Sequence, residues 1–383
     1  MEMYGWIDAT NRILWSYLLI VLLLGCAVWF TLRTRFVQFR MIREMVRVLG
    51  ESASTPTAGA HRGEKHISSF QAFAVSLASR VGTGNLAGVA TAIVVGGPGA
   101  VFWMWVIAII GSASALIEST LAQIYKKKGE DGKCYGGPAY YIEAALHCRP
   151  LAIVFCIAMI LTYAFGFNML ASYNLQSTFA GFSFYHADVT PWIIGGILAV
   201  LTGWCLLGGG SRIIKVTSML VPVMGVAYIV VALIVVVINI RYIPDVFATI
   251  FREAFDFQAI FGAFAGSAMM QGIRRGLYSN EAGIGSAPNA SASANVSHPV
   301  KQGLIQALGV FIDTLVICSC SAFLMLLAPA EKIEGLMGMD LLQAAMNHHL
   351  GYAGVVFIAV VLFLFSFSTF LGILYYARCN VAY

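Results

Sequence analysis

Long hydrophobic runs dominate the chain, separated by short polar stretches. A membrane-spanning helix needs ~20 mostly apolar residues. Runs of that kind fall at 13–32, 67–96, 100–125, 150–180, 190–207, 214–239, 257–273, 302–328 and 353–376. The pattern predicts nine spans, hence an all-α polytopic membrane protein forming a single membrane domain over 1–383. Between the first two spans, FVQFRMIREMVRVLG (36–50) repeats Arg40, Arg43 and Arg47 at helical spacing among Phe, Met, Val and Leu, and reads as a basic interfacial helix. The following ESASTPTAGAHRGE is rich in Gly, Ser, Thr and Pro and reads as a loop, so 33–66 forms a basic connector.

Composition agrees with this reading: 59% of residues are hydrophobic and 11% charged, against roughly 25% charged in soluble domains. The first run, Ile13 to Phe30, follows a start holding Glu2 and Asp8, with Arg12 its sole early base and no small-x-small cleavage pattern. It is expected to be a retained helix, not a signal peptide. The net charge of +5 takes its meaning from where the bases sit. Of 23 Lys and Arg, 18 fall on alternate connecting segments, among them Arg33 to Lys65, Lys126 to Arg149, and Arg274, Arg275 and Lys301. The intervening segments hold only Arg12, Arg241, Arg252 and Lys332, and Arg80 lies within a span. By the positive-inside bias the N-terminus faces outward from a plasma (inner) membrane and residue 383 faces inward. The bases thus mark cytoplasmic loops and not a nucleic-acid partner.

The eight cysteines include no CxxC pair, the seven histidines no HExxH, and the glycine runs no GxxxxGK[ST]. No cofactor, zinc site, catalytic residue or ATPase machinery is expected. The chain reads as no enzyme, and transport would draw on an ion gradient.

Chemistry concentrates where the apolar runs are spoiled. SLASRVGTGNLAG (76–88) places Val81-Gly82-Thr83-Gly84-Asn85 near the middle of the second span, and Gly disfavours helix there by roughly 1 kcal/mol per residue. Backbone polar groups at membrane depth survive only when buried in protein or lining a cavity. An unwound turn would free carbonyls for a cation and N–H groups for a carboxylate. Glycines can equally serve close helix packing. A second candidate break, GAFAGSAMMQG (262–272), interrupts the seventh span with Gly262, Gly266 and Gly272. The two spans run in opposite directions, which is the pointer to an inverted-repeat transporter with a first repeat at 67–239 and a second at 257–383. The second repeat holds three spans where the first holds five, so the chain is expected to lack C-terminal helices.

SLASRVGTGNLAGVATAIVVGGPGAVFWMW (76–105), GGPAYYIE (136–143) and RRGLYSNEAGIGSAPNASASA (274–294), supported by GVFIDTLVICS (309–319) and FSFSTFLG (365–372), closely resemble the alanine or glycine:cation symporters, also called sodium:alanine symporters. The resemblance covers nearly the whole chain, and SNEAGIGSAPNA is its most specific element. It implies the amino-acid transporter fold of five-plus-five inverted repeats after one extra N-terminal helix (13–32), in chains longer than this one. It also implies sodium-driven symport of a small neutral amino acid: alanine, glycine or serine.

The fold resembles that of the sodium:neurotransmitter symporters, whose first core helix carries a similar V-G-x-G-N break. By that likeness Gly82, Thr83 and Gly84 would offer backbone groups to the substrate carboxylate and Asn85 an amide, with Phe264, Gly266 and Ser267 approaching from the opposing helix. Sodium would take the carbonyls of Ala78, Val81 and Phe365 and the hydroxyls of Ser368 and Thr369. One departure stands out: Ala171 and Tyr173 occupy positions where family members commonly carry Gln and Asn, while Asn174 and Gln176 lie nearby. Either Asn174 replaces the usual contact by a local shift, or substrate preference has changed.

Glu118 and Asp313 are acids within spans, where an ionised group is costly and usually faces a cavity or a partner. Each is either a proton carrier, making a proton-coupled symporter the alternative, or a structural hydrogen-bond acceptor. Arg80 and Glu281 are gating candidates, Arg80 pairing with Glu281 or a core acid. Phe102, Trp103 and Trp105 read as interface anchors. A channel would need a continuous polar lining, which the two breaks argue against.

Overall fold

The computed structural model describes residues 2–54, 67–129, 134–256 and 267–383. Apart from one antiparallel pair, Lys127–Lys128 with Cys134–Tyr135, its regular structure is helical. Helix α1 (Ile20–Arg33) continues the helical N-terminus, α2 is Ile42–Ser54, α3 Ser69–Arg80 and α4 Val89–Gly96. Then come α5 (Ala100–Ile124), α6 (Pro138–Leu146), α7 (Arg149–Phe179), α8 (Thr190–Leu207) and α9 (Gly209–Ile238). The remainder is α10 (Ile243–Ala254), α11 (Ala268–Asn280), α12 (Ala287–Ser293), α13 (Pro299–Leu326), α14 (Gly338–Leu350) and α15 (Tyr352–Val381).

Among the described residues six helices are long and apolar enough to cross a membrane: α5, α7, α8, α9, α13 and α15. They divide by burial. The most apolar windows of α5, α13 and α15 are 61–72% buried, whereas those of α7, α8 and α9 are only 22–28% buried. The first group is therefore central, and the second shows apolar side chains such as Trp192, Val200 and Met219 outward, as a lipid-facing wall must. The short helices α3, α4, α11 and α12 fill the space between the central three. Lys126 and Arg149 mark one end of the bundle, the basic end; the Gly97–Gly99 turn marks the far end.

The amphipathic α2 presents Arg43 and Arg47 to the outside, while its apolar face, with Met45 fully buried and Val48 nearly so, docks on α13. Ile42 and Val46 of the same helix stay exposed. The Phe102–Trp105 aromatics also pack inward. The Trp103 indole donates to the Ala254 carbonyl at 2.9 Å and the Trp105 indole to Ser319 Oγ at 2.8 Å. Phe102 meets Phe251 and Phe255. They fasten α10 across the far end, where the backbone of Glu253 and Ala254 leaves no room for a side chain at Gly99.

The seventh span departs from its expected place. Residues 262–266 of the GAFAGSAMMQG stretch lie outside the described residues. From Ser267, whose hydroxyl accepts the Met270 N–H at 3.3 Å as an N-cap, α11 runs unbroken through Gly272 to Asn280. Gly272 is a contact glycine, seated against the Ala100 carbonyl and Trp103. Among the described residues the helix is interrupted at Glu281–Ser286, after which α12 continues toward the basic end. Hydropathy misses this because α11, with Gln271, Arg274 and Arg275, is a polar helix enclosed by α4 and α5, never exposed to lipid as an apolar window presumes. Arg274 and Arg275, counted above as connecting-loop bases, lie inside it.

Candidate substrate and ion site

Helix α3 is well started and abruptly stopped. Ser68 and Gln71 form a reciprocal capping box, and the helix ends at Arg80 because Val81 turns extended (φ −77°, ψ 95°). The Gly82 N–H then donates to Asn85 Oδ1 at 2.8 Å, and the Asn85 N–H to the Gly82 carbonyl at 3.2 Å. A continuous helix would have sent those two N–H groups to the carbonyls of Ala78 and Val81. The break therefore releases two carbonyls at the negative end of α3, and one side chain, Asn85, holds it open. A π-helical turn, Gly84–Gly88, leads into α4.

Against this turn lies α15. Thr369 Oγ1 packs so closely on Gly82 that a Cβ there would overlap it, and Ser79 is equally close to Gly372. Ala78, Val81, Phe365, Ser368 and Thr369 are all buried. The Ser368 hydroxyl donates to the Phe365 carbonyl at 2.9 Å, while the buried Thr369 hydroxyl has no hydrogen-bond partner among the described residues. The five candidate sodium ligands thus come from the break and the helix face that covers it, and all are hard oxygen donors suited to an alkali cation.

The second interruption faces the first. Because α11 descends antiparallel to α3 and α4, Tyr278 reaches Gly84, Ser279 reaches Asn85 and Glu281 reaches Ser79. Glu281 adopts a left-handed conformation (φ 53°), and Gly283 and Gly285 follow at φ +81° and +88°. Two carboxylates hold these turns. Glu281 accepts from Ser79 at 2.9 Å and Ser286 at 2.6 Å. Glu118, from α5, accepts the N–H groups of Gly283 at 3.2 Å and Gly285 at 3.0 Å. Of the two readings open for Glu118, this geometry supplies the structural one. Arg80, 2% exposed, donates to the Gln306 carbonyl at 3.2 Å and stands in the field of Glu281 and Glu118 without forming an ion pair.

Within 81–90 Gly84 alone is not fully buried. Its open side is bounded by Tyr278, which stacks on Phe167 of α7 (centroids 5.3 Å, 10°), and Phe167 stacks on Tyr163 (4.9 Å, 9°). Tyr163 in turn meets Tyr376 edge-on at 5.6 Å. This aromatic wall was not anticipated; no spacing rule links residues on three separate helices. Asn174 sits seven residues beyond Phe167, about 10 Å along the helix. Gln176 is engaged by Tyr185 at 2.6 Å, and Tyr173 is 64% exposed on the outer surface. Ser267 lies twelve residues, about 18 Å, up α11 from Ser279, so the structure does not bring it to the break. Phe264 and Gly266 lie outside the described residues.

The sequence signature described as the sodium:alanine symporter family matches residues 1–383, and the chain belongs to that family. It is 48% identical to a probable sodium/glutamine symporter, GlnT, of Bacillus subtilis over 98% of this chain and 77% of that protein. It is 46% identical to the amino-acid carrier protein AlsT of the same organism, over 98% and 78%. To the sodium/alanine symporter AgcS of Methanococcus maripaludis it is 37% identical, over 99% and 83%. It is therefore an integral membrane amino-acid transporter and not an enzyme.

Proposed function

We propose that this protein carries a small neutral amino acid, alanine, into the cell together with sodium by alternating access. The observation that carries the reading is the release of the Ala78 and Val81 carbonyls beside the Thr369 hydroxyl, which has no hydrogen-bond partner among the described residues, at the turn formed by Gly82, Thr83 and Gly84. A sodium ion held by Ala78, Val81, Phe365, Ser368 and Thr369 would neutralise the negative end of α3 and fix the turn that receives the substrate carboxylate. Ion and substrate then bind better together than apart, which is coupling. Tyr278 packs against Gly84 and stacks on Phe167, so an aromatic side wall stands beside the turn.

The opposed interruptions at Val81–Gly82 and Glu281–Ser286 support inverted repeats beginning near 67 and 257, with the basic end cytoplasmic and the N-terminus outside. The Ser79–Glu281–Ser286 bonds, with Arg80 beside them, would close the cytoplasmic half and part when it opens. A second reading, a longer neutral amino acid, is favoured by the 48% identity to a relative named for glutamine. Uptake of labelled alanine, with glutamine, glycine and serine as competitors, separates the two. Asn85→Ala should abolish sodium-dependent uptake while the protein stays folded in the membrane; undiminished uptake by this variant would sink the role given to the turn.

A further inference from the structure

At the basic end the segments that carry the two interruptions meet, with a lysine beside the junction. Helix α12 ends at Ser293, where Ala294 turns extended (ψ 142°). The last carbonyls of a helix have no partners within it, and here α5 and the residues after it supply them. Gln123, 5% exposed, donates through its amide to the Ser291 carbonyl and, at 2.9 Å, to that of Ala294. Lys126 Nζ donates to Gln123 Oε1 and to the Ala294 carbonyl, each at 2.7 Å. Both lone pairs of the Ala294 oxygen are thereby taken. Among the described residues no carboxylate lies within ion-pair distance of Lys126, so its charge acts on the negative end of α12. Lys127 and Lys128 beside it are exposed. The GGPAYYIE turn backs the same helix, with Gly136 so close to Ala292 that a Cβ there would overlap it.

On its other side Ala294 pairs with Ile67 in an isolated parallel bridge, and the Asn295 N–H donates to the Ile67 carbonyl at 3.0 Å. Ile67 directly precedes the capping box that starts α3. The start of α3 is thus held to the end of α12 by backbone, and the end of α12 to α5 by side chains. Helix α3 is 12 residues long, about 18 Å, so this junction lies a helix length from the Ser79–Glu281 bond and closes the basic end a second time. We infer that Gln123 and Lys126 are positioning residues of an inner latch: they fix Ala294 where it holds the start of α3, and transport requires the Ile67–Ala294 pair to part. The two closures lie in series along one helix, so α3 cannot leave α12 at Ser79 while it is held at Ile67. Loosening the clamp shifts the population toward the open basic end.

The inference rests on the transport reading above. A disulfide formed between Ile67→Cys and Ala294→Cys tests the parting directly. It should abolish alanine uptake into proteoliposomes, reductant should restore uptake, and alanine binding in detergent should persist. Uptake that continues with the disulfide closed overturns the latch. The rate at which a maleimide modifies Ile67→Cys, read peptide by peptide in mass spectrometry, tests the clamp. Lys126→Met and Gln123→Leu should each speed it about tenfold, the effect of one lost charge-assisted hydrogen bond, while Lys126→Arg keeps the slow rate. Unchanged rates in both variants, even where uptake is lost, overturn the role of Gln123 and Lys126. If neither variant folds, the disulfide pair, which leaves both residues in place, decides the latch. Failure of the unaltered protein to move alanine under any gradient would refute the transport reading instead, and the maleimide rates would still read the clamp.

Discussion

Glu118→Ala is the sharpest perturbation of the second interruption. The carboxylate accepts the N–H groups of Gly283 and Gly285, at 3.2 and 3.0 Å, inside a loop that turns left-handed at Glu281, Gly283 and Gly285. Hydrogen bonds to a charged group contribute about 1.5–3 kcal/mol each, so the alanine variant should lose about 3–6 kcal/mol. Glu118→Gln keeps one acceptor oxygen but turns an NH2 toward the other N–H, and should lose about half as much by the same count. Denaturant unfolding of the detergent-solubilised protein, followed by intrinsic Trp fluorescence, measures the loss; alanine uptake at saturating sodium measures function. Both should fall together, Ala more than Gln. An alanine variant within about 1 kcal/mol of the unaltered protein would refute the reasoning. So would a Gln variant of full stability that has lost ion coupling, because that outcome belongs to a proton carrier.

Gly82→Ala places a methyl group against Thr369 Oγ1. It should raise the sodium concentration for half-maximal uptake at least tenfold, with an overpacking loss of about 1–3 kcal/mol; an unchanged sodium titration would separate Thr369 from the ion. Phe167→Ala removes stacking on both Tyr163 and Tyr278, worth about 0.5–1.5 kcal/mol per pair beyond burial. It should widen the space beside Gly84, so competition by glutamine should strengthen relative to alanine. His349, on α14 at the far end, bonds the Leu324 carbonyl at 2.9 Å, and burial holds its pKa below the ordinary histidine value. The unfolded chain then binds the proton more readily than the folded one. Stability should be full above about pH 6.5 and decline as pH falls below it. Thermal unfolding against pH checks this, and His349→Gln should flatten the decline.

The first interruption was legible because it is local: glycines and Asn85 within five residues of an otherwise apolar span spell out a broken helix. The interruption at Glu281–Ser286 is not one the sequence reading offered, while of the expected break at 262–272 only Gly272 falls among the described helical residues. An apolar run was taken to mark the span, and Arg274 and Arg275 to mark its end, but a helix enclosed by other helices answers to its protein neighbours and not to lipid. The two glycines of SNEAGIGSAPNA, both at positive φ, are the signal that places it. The hydrogen bonds that tie Asp313 to Asn85, Ser279 and Thr314 join three elements separated by up to 228 residues, and the Phe167–Tyr278 stack adds a fourth, α7. Such contacts follow from the packing of helices against each other, which periodicity along one helix does not encode. Short amphipathic helices such as α10 and α14 escaped for the opposite reason, being too brief and too polar to register as spans.

The most direct test of the central claim is labelled alanine uptake into proteoliposomes with sodium and proton gradients imposed separately. Accumulation above equilibrium under an inward sodium gradient, abolished by dissipating that gradient and by Asn85→Ala, is the predicted result. Equilibration that no ion gradient can drive uphill would contradict it.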